Sequence, residues 1–402
     1  MKSQLLKATQ QQTKTYNSQL VLKTIYERGP VSRAEVARLT QLTRTTVSDL
    51  VTEFQEQGLV EEVGYGPSVG GRSPIMLSVV ADSRQLIGVD LANDQFCGAV
   101  LNLRNEILHK ASQPIQSRGG EAALDRVYDL LDRLIAGADK PLLGIGIGTP
   151  GLVDTPNGVV LRAVNLEWRD LPLGRLLQER YKLPVYVAND SQLAALAQYM
   201  FGDQEYDGNL VVIKTGHGIG AGVVLNGHIF QGDGFGAGEV GHIVVVDDGV
   251  QCRCGNYGCL ETVVSTPAVC RRALDLARTH RESLLNQADV PPGEMPIEAV
   301  VRAFQAGDAT AQQVVRDLGR YLGIAASQLV GTLNVRHIAL VGDLTLFGEP
   351  LAAAIRAEML RRALPQLAQG TEVALLDESP DVVILGAAAL LLARELGLNL
   401  AR

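Results

Sequence analysis

Apolar positions in the first eighty residues recur at the three- and four-residue spacing of short amphipathic helices. A first helix is predicted over 19–28. Ser32 and Glu35 have the spacing of a capping box, and the helix that they begin is expected to bury Val36 and Leu39. Thr43 is expected to cap a third helix, whose apolar face is formed by Val47, Leu50, Val51 and Phe54.

Two short strands, predicted over 59–63 and 76–79, follow the third helix and flank a glycine-rich loop. Two capped helices with a three-residue connection, a third helix and such a hairpin indicate a winged helix-turn-helix that reads double-stranded DNA. The alternative is a three-helix packing module whose polar residues are merely solvated. We assign residues 1–82 to this DNA-binding domain. The side chains expected to bond bases or phosphates are Arg44, Thr45, Thr46, Ser48 and Arg72.

From residue 83 onwards the pattern changes to alternating strands and helices, which predicts an α/β fold for residues 83–402. A meander of three strands is followed by a helix and buried strands, and a second meander begins near residue 210. The final helix is expected after Gly386. Two copies of this arrangement suggest a duplicated lobe with a ligand-binding cleft between the copies. The predicted strands are 86–91, 96–102, 106–108, 142–147, 185–188, 210–214, 221–225, 228–230 and 337–341, and the main helices are 121–136 and 309–331.

The charge of the chain is distributed unevenly between these two parts. The net charge is −8, but residues 1–80 carry nine basic and seven acidic side chains, so the remainder accounts for −10. A mildly basic module on an acidic body is compatible with a small nucleic-acid footprint. No apolar run reaches the roughly 20 residues that span a bilayer, and the polar start does not resemble a secretory signal. We therefore expect a cytoplasmic protein without a membrane partner.

Three of the five cysteines lie within eight residues of one another, which points to a metal site in a cytosolic chain. One imidazole and three thiolates complete the tetrahedral shell of a zinc ion and leave no position for water, so the predicted role is structural, with one Zn2+ per chain. The alternative is a set of reactive or incidental thiols. Cys97 and Cys270 are expected to be plain core residues. The predicted ligands are His242, Cys252, Cys254 and Cys259.

Polar residues that suit a polyol cluster around the same loop. Asn and carboxylate side chains can each bond paired hydroxyls, and Asp190 could serve as a general base toward one of them. By spacing alone the simpler interpretation is preferred, with Asp190 as a helix N-cap and Glu239 and Glu261 as ordinary turn residues. The candidates for the cleft are Asn165, Asn189, Asp190, Glu239 and Glu261.

Taken together, these motifs resemble those of the ROK (Repressor, ORF, Kinase) family, and in particular its branch of transcriptional regulators. The most specific match is 238–261, and the segments 148–151, 189–190 and 29–35 also match, so that the likeness covers nearly the whole chain. The resemblance implies a two-lobed actin/hexokinase-like fold and the zinc site described above. It places Asp190 at the position of the kinase base. The sugar contacts that it implies are Asn165, Asn189, Asp190, Glu239, His242 and Glu261.

The loops that bind nucleotide in the kinases of this family are altered here. In the first loop, 90–94, both glycines and the threonine are replaced, and Asp94 adds repulsion toward phosphate. The second loop contains His217, and the adenine-side loop has Asp343 in place of a second glycine. The leading hypothesis is therefore a repressor, or less often an activator, rather than an enzyme. Its operator binding would respond to a sugar or sugar-phosphate effector, and it would act as a homodimer or homotetramer.

Two alternatives remain open at this point. One is an ATP-dependent sugar kinase that carries a DNA-binding appendage. The other is an interaction protein that is controlled by a sugar-transport protein. The sequence does not identify the sugar or the operator.

Overall fold

A computed structural model describes residues 10–67, 73–91, 95–115, 119–202, 204, 206–287, 294–376 and 380–398. Among these residues, no helix combines the length and the apolar character that crossing a bilayer requires. The helices are α1 (Gln10–Arg28), α2 (Arg33–Thr40), α3 (Arg44–Glu56), α4 (Gly120–Ala136), α5 (Leu173–Tyr181), α6 (Asp190–Phe201), α7 (Glu261–Val264), α8 (Thr266–Thr279), α9 (Ile297–Gln305), α10 (Ala309–Leu333), α11 (Glu349–Arg362), α12 (Pro365–Ala368) and α13 (Val382–Glu395).

Within the part of the chain that the structure describes, the strands fall into four sheets, two of three strands and two of five. Their bounds are β1 (Val31–Ser32), β2 (Val60–Tyr65), β3 (Ile75–Val79), β4 (Gln85–Asp90), β5 (Gln95–Asn102), β6 (Ile107–Pro114), β7 (Leu142–Thr149), β8 (Leu152–Asp154), β9 (Val159–Ala163), β10 (Trp168–Leu171), β11 (Val185–Asn189), β12 (Leu210–Thr215), β13 (Ile219–Leu225), β14 (His228–Ile229), β15 (His337–Gly342) and β16 (Glu372–Leu375).

The N-terminal helices have the predicted N-caps, but the carboxylate of Glu35 accepts a hydrogen bond from Arg38 and not from the backbone of Ser32 as a capping box requires. The Ser32 hydroxyl accepts a hydrogen bond from the backbone N–H of Glu35 at 3.2 Å, and the Thr43 hydroxyl accepts one from Thr46 at 3.1 Å. The predicted burial of Leu39 is wrong, because 44% of this side chain is exposed, whereas the predicted apolar face of α3 is buried. In α2 it is Val36 and the neighbouring Ala37 that face the core.

The wing consists of β2 and β3, which pair antiparallel, and β1 adds a short third strand to the outer side of β3. The residues between the two long strands include Arg72, which lies outside the described residues together with the rest of 68–72. The predicted DNA contact of Arg72 therefore stays a prediction.

The two five-stranded sheets have the same topology, which confirms the predicted duplication. In the first, an antiparallel meander of β4, β5 and β6 continues through β7 and β11, which run parallel to β4. In the second, β12, β13 and β14 form the meander, and β15 and β16 extend it in parallel. The small sheet of β8, β9 and β10 is inserted after β7 and was not predicted.

Two helices cross between the halves of the molecule. The C-terminal helix α13 packs on β4 and β7 of the first sheet, whereas α6 packs on β12 and β13 of the second, and the two helices contact each other. Glycines permit this close packing, because a Cβ at Gly386 would lie 2.0 Å from the carbonyl oxygen of Leu193. The helix α13 begins at Val382 and already includes Gly386, after which the sequence predicted its start.

The winged helix and the first sheet share one hydrophobic cluster. Val21 and Ile25 of α1 belong to the same buried set as Leu101 of β5 and Leu391 of α13. The guanidinium of Arg104 also donates a hydrogen bond to the carbonyl oxygen of Tyr26 at 2.6 Å and lies over its ring. The N-terminal segment is therefore packed against the α/β part over a common core.

Candidate metal centre and adjoining cleft

The four predicted metal ligands come together. The ligand atoms of His242, Cys252, Cys254 and Cys259 all lie within 4.8 Å of one another. The distance between the Sγ atoms of Cys254 and Cys259 is 3.7 Å, and Nδ1 of His242 is also 3.7 Å from Sγ of Cys252. Bonds of about 2.3 Å to a central ion give a tetrahedral edge of about 3.8 Å. The donor set and its spacing thus fit a tetrahedral ion such as zinc.

The loop that carries the three cysteines is held by its own backbone. Val244 forms a β-bridge with Cys259, and Gln251 forms one with Tyr257. Gly258 has a φ of +70°, and a Cβ there would lie 1.8 Å from the carbonyl oxygen of Val246, so this tight wrap requires glycine. Burial raises the pKa of the Cys259 thiol to about 12, which leaves it protonated unless a cation binds the sulfur.

A cleft of about 390 Å³ adjoins this loop, a volume within the range of small-molecule sites. It brings together every predicted sugar contact, from four separate segments of the chain. It also contains basic side chains that the sequence analysis did not assign to it, namely Arg162, Lys214 and Arg253. The predicted contacts on its wall are Asn165, Asn189, Asp190, Glu239, His242 and Glu261.

Asn189, and not Asp190, is the N-cap of α6. Its Oδ1 accepts hydrogen bonds from the backbone N–H groups of Ser191 and Gln192 at 2.9 and 3.1 Å, and its Nδ2 donates to the carbonyl oxygen of Gly151 at 2.9 Å. The interpretation of Asp190 as a cap is therefore wrong. Asp190 is the first residue of the helix, and its side chain lies in the cleft.

The Asp190 carboxylate is buried and already bonded at both oxygens. Oδ1 accepts a hydrogen bond from the backbone N–H of Ser191 at 2.8 Å, and Oδ2 accepts one from the ammonium of Lys214 at 3.1 Å. Lys214 stands near the end of the apolar strand β12, and 17% of its side chain is exposed. Only the charge at the end of an otherwise apolar strand could have revealed it from the sequence.

His242 faces both the metal centre and the cleft. Its Nδ1 points toward the cysteines, whereas its Nε2 lies 3.6 Å from Oε2 of Glu239. Burial raises the pKa of the Glu239 carboxyl; His242 opposes this shift, and the carboxylates of Asp190 and Glu261 add to it. An ion bound at Nδ1 would fix the proton on Nε2, where it can be donated to Glu239 or to a ligand.

Arg253 connects the loop that carries the three cysteines, 252–259, with the other side of the cleft. It lies between two of the cysteines, and its guanidinium donates a hydrogen bond to Oδ1 of Asn165 at 2.8 Å. The same group is 3.7 Å from Oε1 of Glu261, whose Oε2 accepts a hydrogen bond from the backbone N–H of Ile219 at 3.2 Å. Glu261 thus connects the loop that carries the cysteines with the start of β13 and is not an ordinary turn residue.

In the loops that would face a nucleotide, some of the polar groups are hydrogen-bonded to other residues of the chain. The hydroxyl of Thr266 donates a hydrogen bond to Oδ2 of Asp343 at 2.6 Å, and the backbone N–H of Thr266 donates to the carbonyl oxygen of Gly216 at 2.8 Å. Residues 92–94 of the first loop lie outside the described residues, so the predicted repulsion by Asp94 stays a prediction.

The predicted DNA contacts on α3 differ in their surroundings. Arg44 and Thr45 are exposed, whereas Thr46 and Ser48 are half-buried. The hydroxyl of Thr46 lies 2.8 Å from that of Thr43, so it contributes to the cap of α3. Among the predicted contacts on this helix, Arg44 and Thr45 are therefore the two that are exposed.

Comparison with known proteins gives matches along both parts of the chain. Residues 86–394 match the ROK family, and residues 18–64 match the MarR family. A xylose repressor of Caldicellulosiruptor bescii is 31% identical over 358 residues, which cover 87% of this chain and 88% of the relative. A glucokinase of Halalkalibacterium halodurans is 36% identical over 308 residues, which cover 75% of this chain and 93% of the relative. The crystal structure of a ROK family transcriptional regulator, a homologue of the E. coli MLC protein, superposes with a TM-score of 0.82 at 29% identity and covers 96% of this chain and 98% of that one.

Proposed function

The chain belongs to the ROK family, and on this premise we propose that it is a sugar-responsive transcriptional regulator that acts as a repressor. The observation that carries the proposal is the combination of a winged helix with a polar cleft in one packed molecule. The similarity to a xylose repressor extends over both parts, whereas the similarity to a glucokinase covers 75% of the chain.

Residues 1–82 form the DNA-binding domain in this proposal. Arg44 and Thr45 at the start of α3 would enter the major groove, and Thr46 and Ser48 would contact the sugar-phosphate backbone nearby. Arg72 in the wing would reach an adjacent minor groove. A symmetric homodimer or homotetramer would then bind a palindromic operator.

Residues 83–402 bind the effector. The amide and carboxylate groups on the wall of the cleft offer acceptors and donors at several points around a ring, as recognition of sugar hydroxyls requires. The ion bound by His242 and the three cysteines would be one structural Zn2+ per chain, because these four ligands complete its shell. His242 would then make the shape of the cleft depend on the metal.

The alternative is a sugar kinase, which the similarity to a glucokinase favours. Asp190 stands at the position of the kinase base, but the ammonium of Lys214 is bonded to it. Phosphoryl transfer also needs backbone amides and a metal around the phosphates, and the first phosphate loop has lost its glycines. Asp343 and Thr266 are joined where adenosine would approach. These features support effector binding without catalysis.

The proposal is tested in two assays on the full chain, a gel shift and a coupled assay for ADP release. Gel shifts with fragments of its own promoter region measure operator affinity for the wild type, for Arg44→Ala and for Arg278→Ala, an exposed arginine on α8 that serves as the control. Arg44→Ala is expected to lose about 1–3 kcal/mol of specific binding, and the control none. D-xylose or D-glucose should alter the wild-type affinity.

A coupled assay for ADP release distinguishes the regulator from the kinase. We expect no sugar-dependent turnover in the presence of ATP and Mg2+. Turnover on the order of 1–100 per second would establish the kinase alternative. Absence of operator binding by the wild type, together with absence of any sugar effect, would contradict the regulator.

A further inference from the structure

Lys214 is a charged residue in a strand that is otherwise apolar up to this point. The residues before it in β12 are Leu210, Val211, Val212 and Ile213, all buried. Its side chain is largely buried and its ammonium is bonded to Oδ2 of Asp190. Burying an ammonium and a carboxylate is costly in free energy, so a pair retained on the wall of a cleft needs a reason beyond stability.

The ion pair fixes what Asp190 can do toward a ligand. Ser191 holds one carboxylate oxygen through its backbone N–H, and Lys214 holds the other. An ionised carboxylate has about four acceptor positions, so it can still accept a hydrogen bond from a hydroxyl. Taking up a proton, as a general base does, would weaken the bond to the ammonium. The arrangement therefore favours an Asp190 that accepts a hydrogen bond from a hydroxyl over one that abstracts its proton.

The charges of the cleft indicate which ligands it accepts. The ammonium of Lys214 already faces Asp190, and the guanidinium of Arg253 lies near Glu261. Glu239 adds a third carboxylate beside these two. A phosphate ester on the hydroxyl that meets Asp190 would bring two negative charges beside that carboxylate, whose neighbouring cation, Lys214, is already matched by it. Arg162, the third basic side chain of the cleft, is not part of this pair. A neutral sugar meets no such repulsion.

We propose, on the basis of the function proposed above, that Lys214 is a positioning residue that holds Asp190 as the acceptor for one free hydroxyl of a neutral sugar. The effector class is then an unphosphorylated sugar. Phosphorylation of the hydroxyl that meets Asp190 abolishes the fit. The residue acts on the effector through Asp190, and the hydroxyl specificity of the cleft depends on it.

The first test compares matched ligands. Calorimetric titrations of the full chain use D-glucose with glucose 6-phosphate, and D-xylose with xylose 1-phosphate, which keeps the pyranose ring, and inorganic phosphate serves as a further probe. At least one neutral sugar is expected to bind at least tenfold more tightly than its phosphate, and inorganic phosphate is expected not to compete with it. Tighter binding of the phosphates would overturn the proposal while leaving sugar-responsive regulation intact.

The second test identifies the hydroxyl from which Asp190 accepts a hydrogen bond. The monodeoxy derivatives of whichever of the two neutral sugars binds more tightly are titrated against the wild type, Lys214→Met, Lys214→Arg and Asp190→Asn. Removing the hydroxyl that meets Asp190 should weaken wild-type binding on the order of 10- to 100-fold, as expected for a hydrogen bond to a charged group. In Lys214→Met and Asp190→Asn this penalty should shrink at that one position, and Lys214→Arg should restore most of it.

Lys110→Met is the matched control, because Lys110 forms an ion pair with Asp381 outside the cleft. It should leave every deoxy penalty unchanged. Zinc content and melting temperature show that each variant is folded, and a loss of affinity that is uniform across all deoxy sugars would indicate a structural role and refute positioning. If the wild type binds neither the two neutral sugars nor their phosphates, the failure falls on the proposed function instead.

Discussion

The crossing of α6 and α13 offers the sharpest test of how the two parts of the molecule are joined. Gly386 of α13 lies against the backbone of α6, and the Cβ of an alanine there would be 2.0 Å from the carbonyl oxygen of Leu193. Ordinary van der Waals contact begins at 3.4 Å, so Gly386→Ala must separate the helices by about 1.4 Å or distort them. Overpacking of this kind costs about 1–3 kcal/mol of stability.

The same substitution should disturb the cleft, because Leu193 lies one helical turn after Asp190. We expect Gly386→Ala to lower the free energy of unfolding in urea and to weaken sugar binding. The effect of the sugar on operator affinity should also be reduced, because α13 shares the hydrophobic cluster of the winged helix. Urea titration, calorimetry with D-xylose or D-glucose and gel shifts measure the three quantities.

Gly331→Ala is the control for this experiment. Gly331 lies on the exposed side of α10, and a Cβ there would contact nothing within 4 Å. Replacing an exposed helical glycine with alanine should stabilise the protein by about 0.5–1 kcal/mol and leave binding unchanged. If Gly386→Ala behaved like this control in stability and in sugar affinity, the inferred rigidity of the helix crossing would be refuted.

Substitutions at three further positions probe other parts of the molecule. Asp308→Ala removes the cap of α10 and an acceptor for Ser283, so the free energy of unfolding should fall by about 2 kcal/mol. Asp308→Asn should lower the free energy of unfolding by less. Equal stability of Asp308→Ala and the wild type would contradict this prediction. The pKa of Glu358 is lowered to about 2, mainly by its hydrogen bond with Arg361, so its contribution to stability is present above about pH 4.5 and is lost as pH falls toward 2. Glu358→Gln should therefore be less stable than the wild type at neutral pH, with a difference that narrows in acid; a difference independent of pH would argue against the ion pair. Cys254→Ser should lower both the zinc content, measured by mass spectrometry, and the melting temperature. Full zinc occupancy with an unchanged melting temperature would rule out Cys254 as a ligand.

The cluster of His242 and three cysteines, which could hold a metal ion, could be predicted from the sequence because its members lie on one short stretch of chain. Spacing within a loop limits the distances among Cys252, Cys254 and Cys259, and the chemistry of thiolates then suggests the ion. The helix caps at Ser32 and Thr43 were predicted for the same reason, since a cap is a contact between residues three positions apart. Periodicity likewise predicted the two meanders.

The contacts of the cleft could not be predicted in this way. The bond between Lys214 and Asp190 joins residues on two elements, and that between Arg253 and Asn165 joins residues 88 positions apart. No local pattern records which side chains such folding brings together. Leu39 was misassigned for a related reason, because helical periodicity identifies an apolar stripe but not where the tertiary contact ends.

The shared core restricts how an effector could influence DNA binding. A winged helix on a flexible tether would respond to effector binding only through a second copy of the chain or through the length of the linker. Here α1 is packed with α13 in one cluster, and α13 in turn contacts α6, which begins at the cleft. A ligand that favours one arrangement of α6 against α13 would therefore also favour one position of the winged helix. Coupling of this kind is reciprocal, so operator DNA should change sugar affinity by the same factor, about 5- to 150-fold for a coupling of 1–3 kcal/mol.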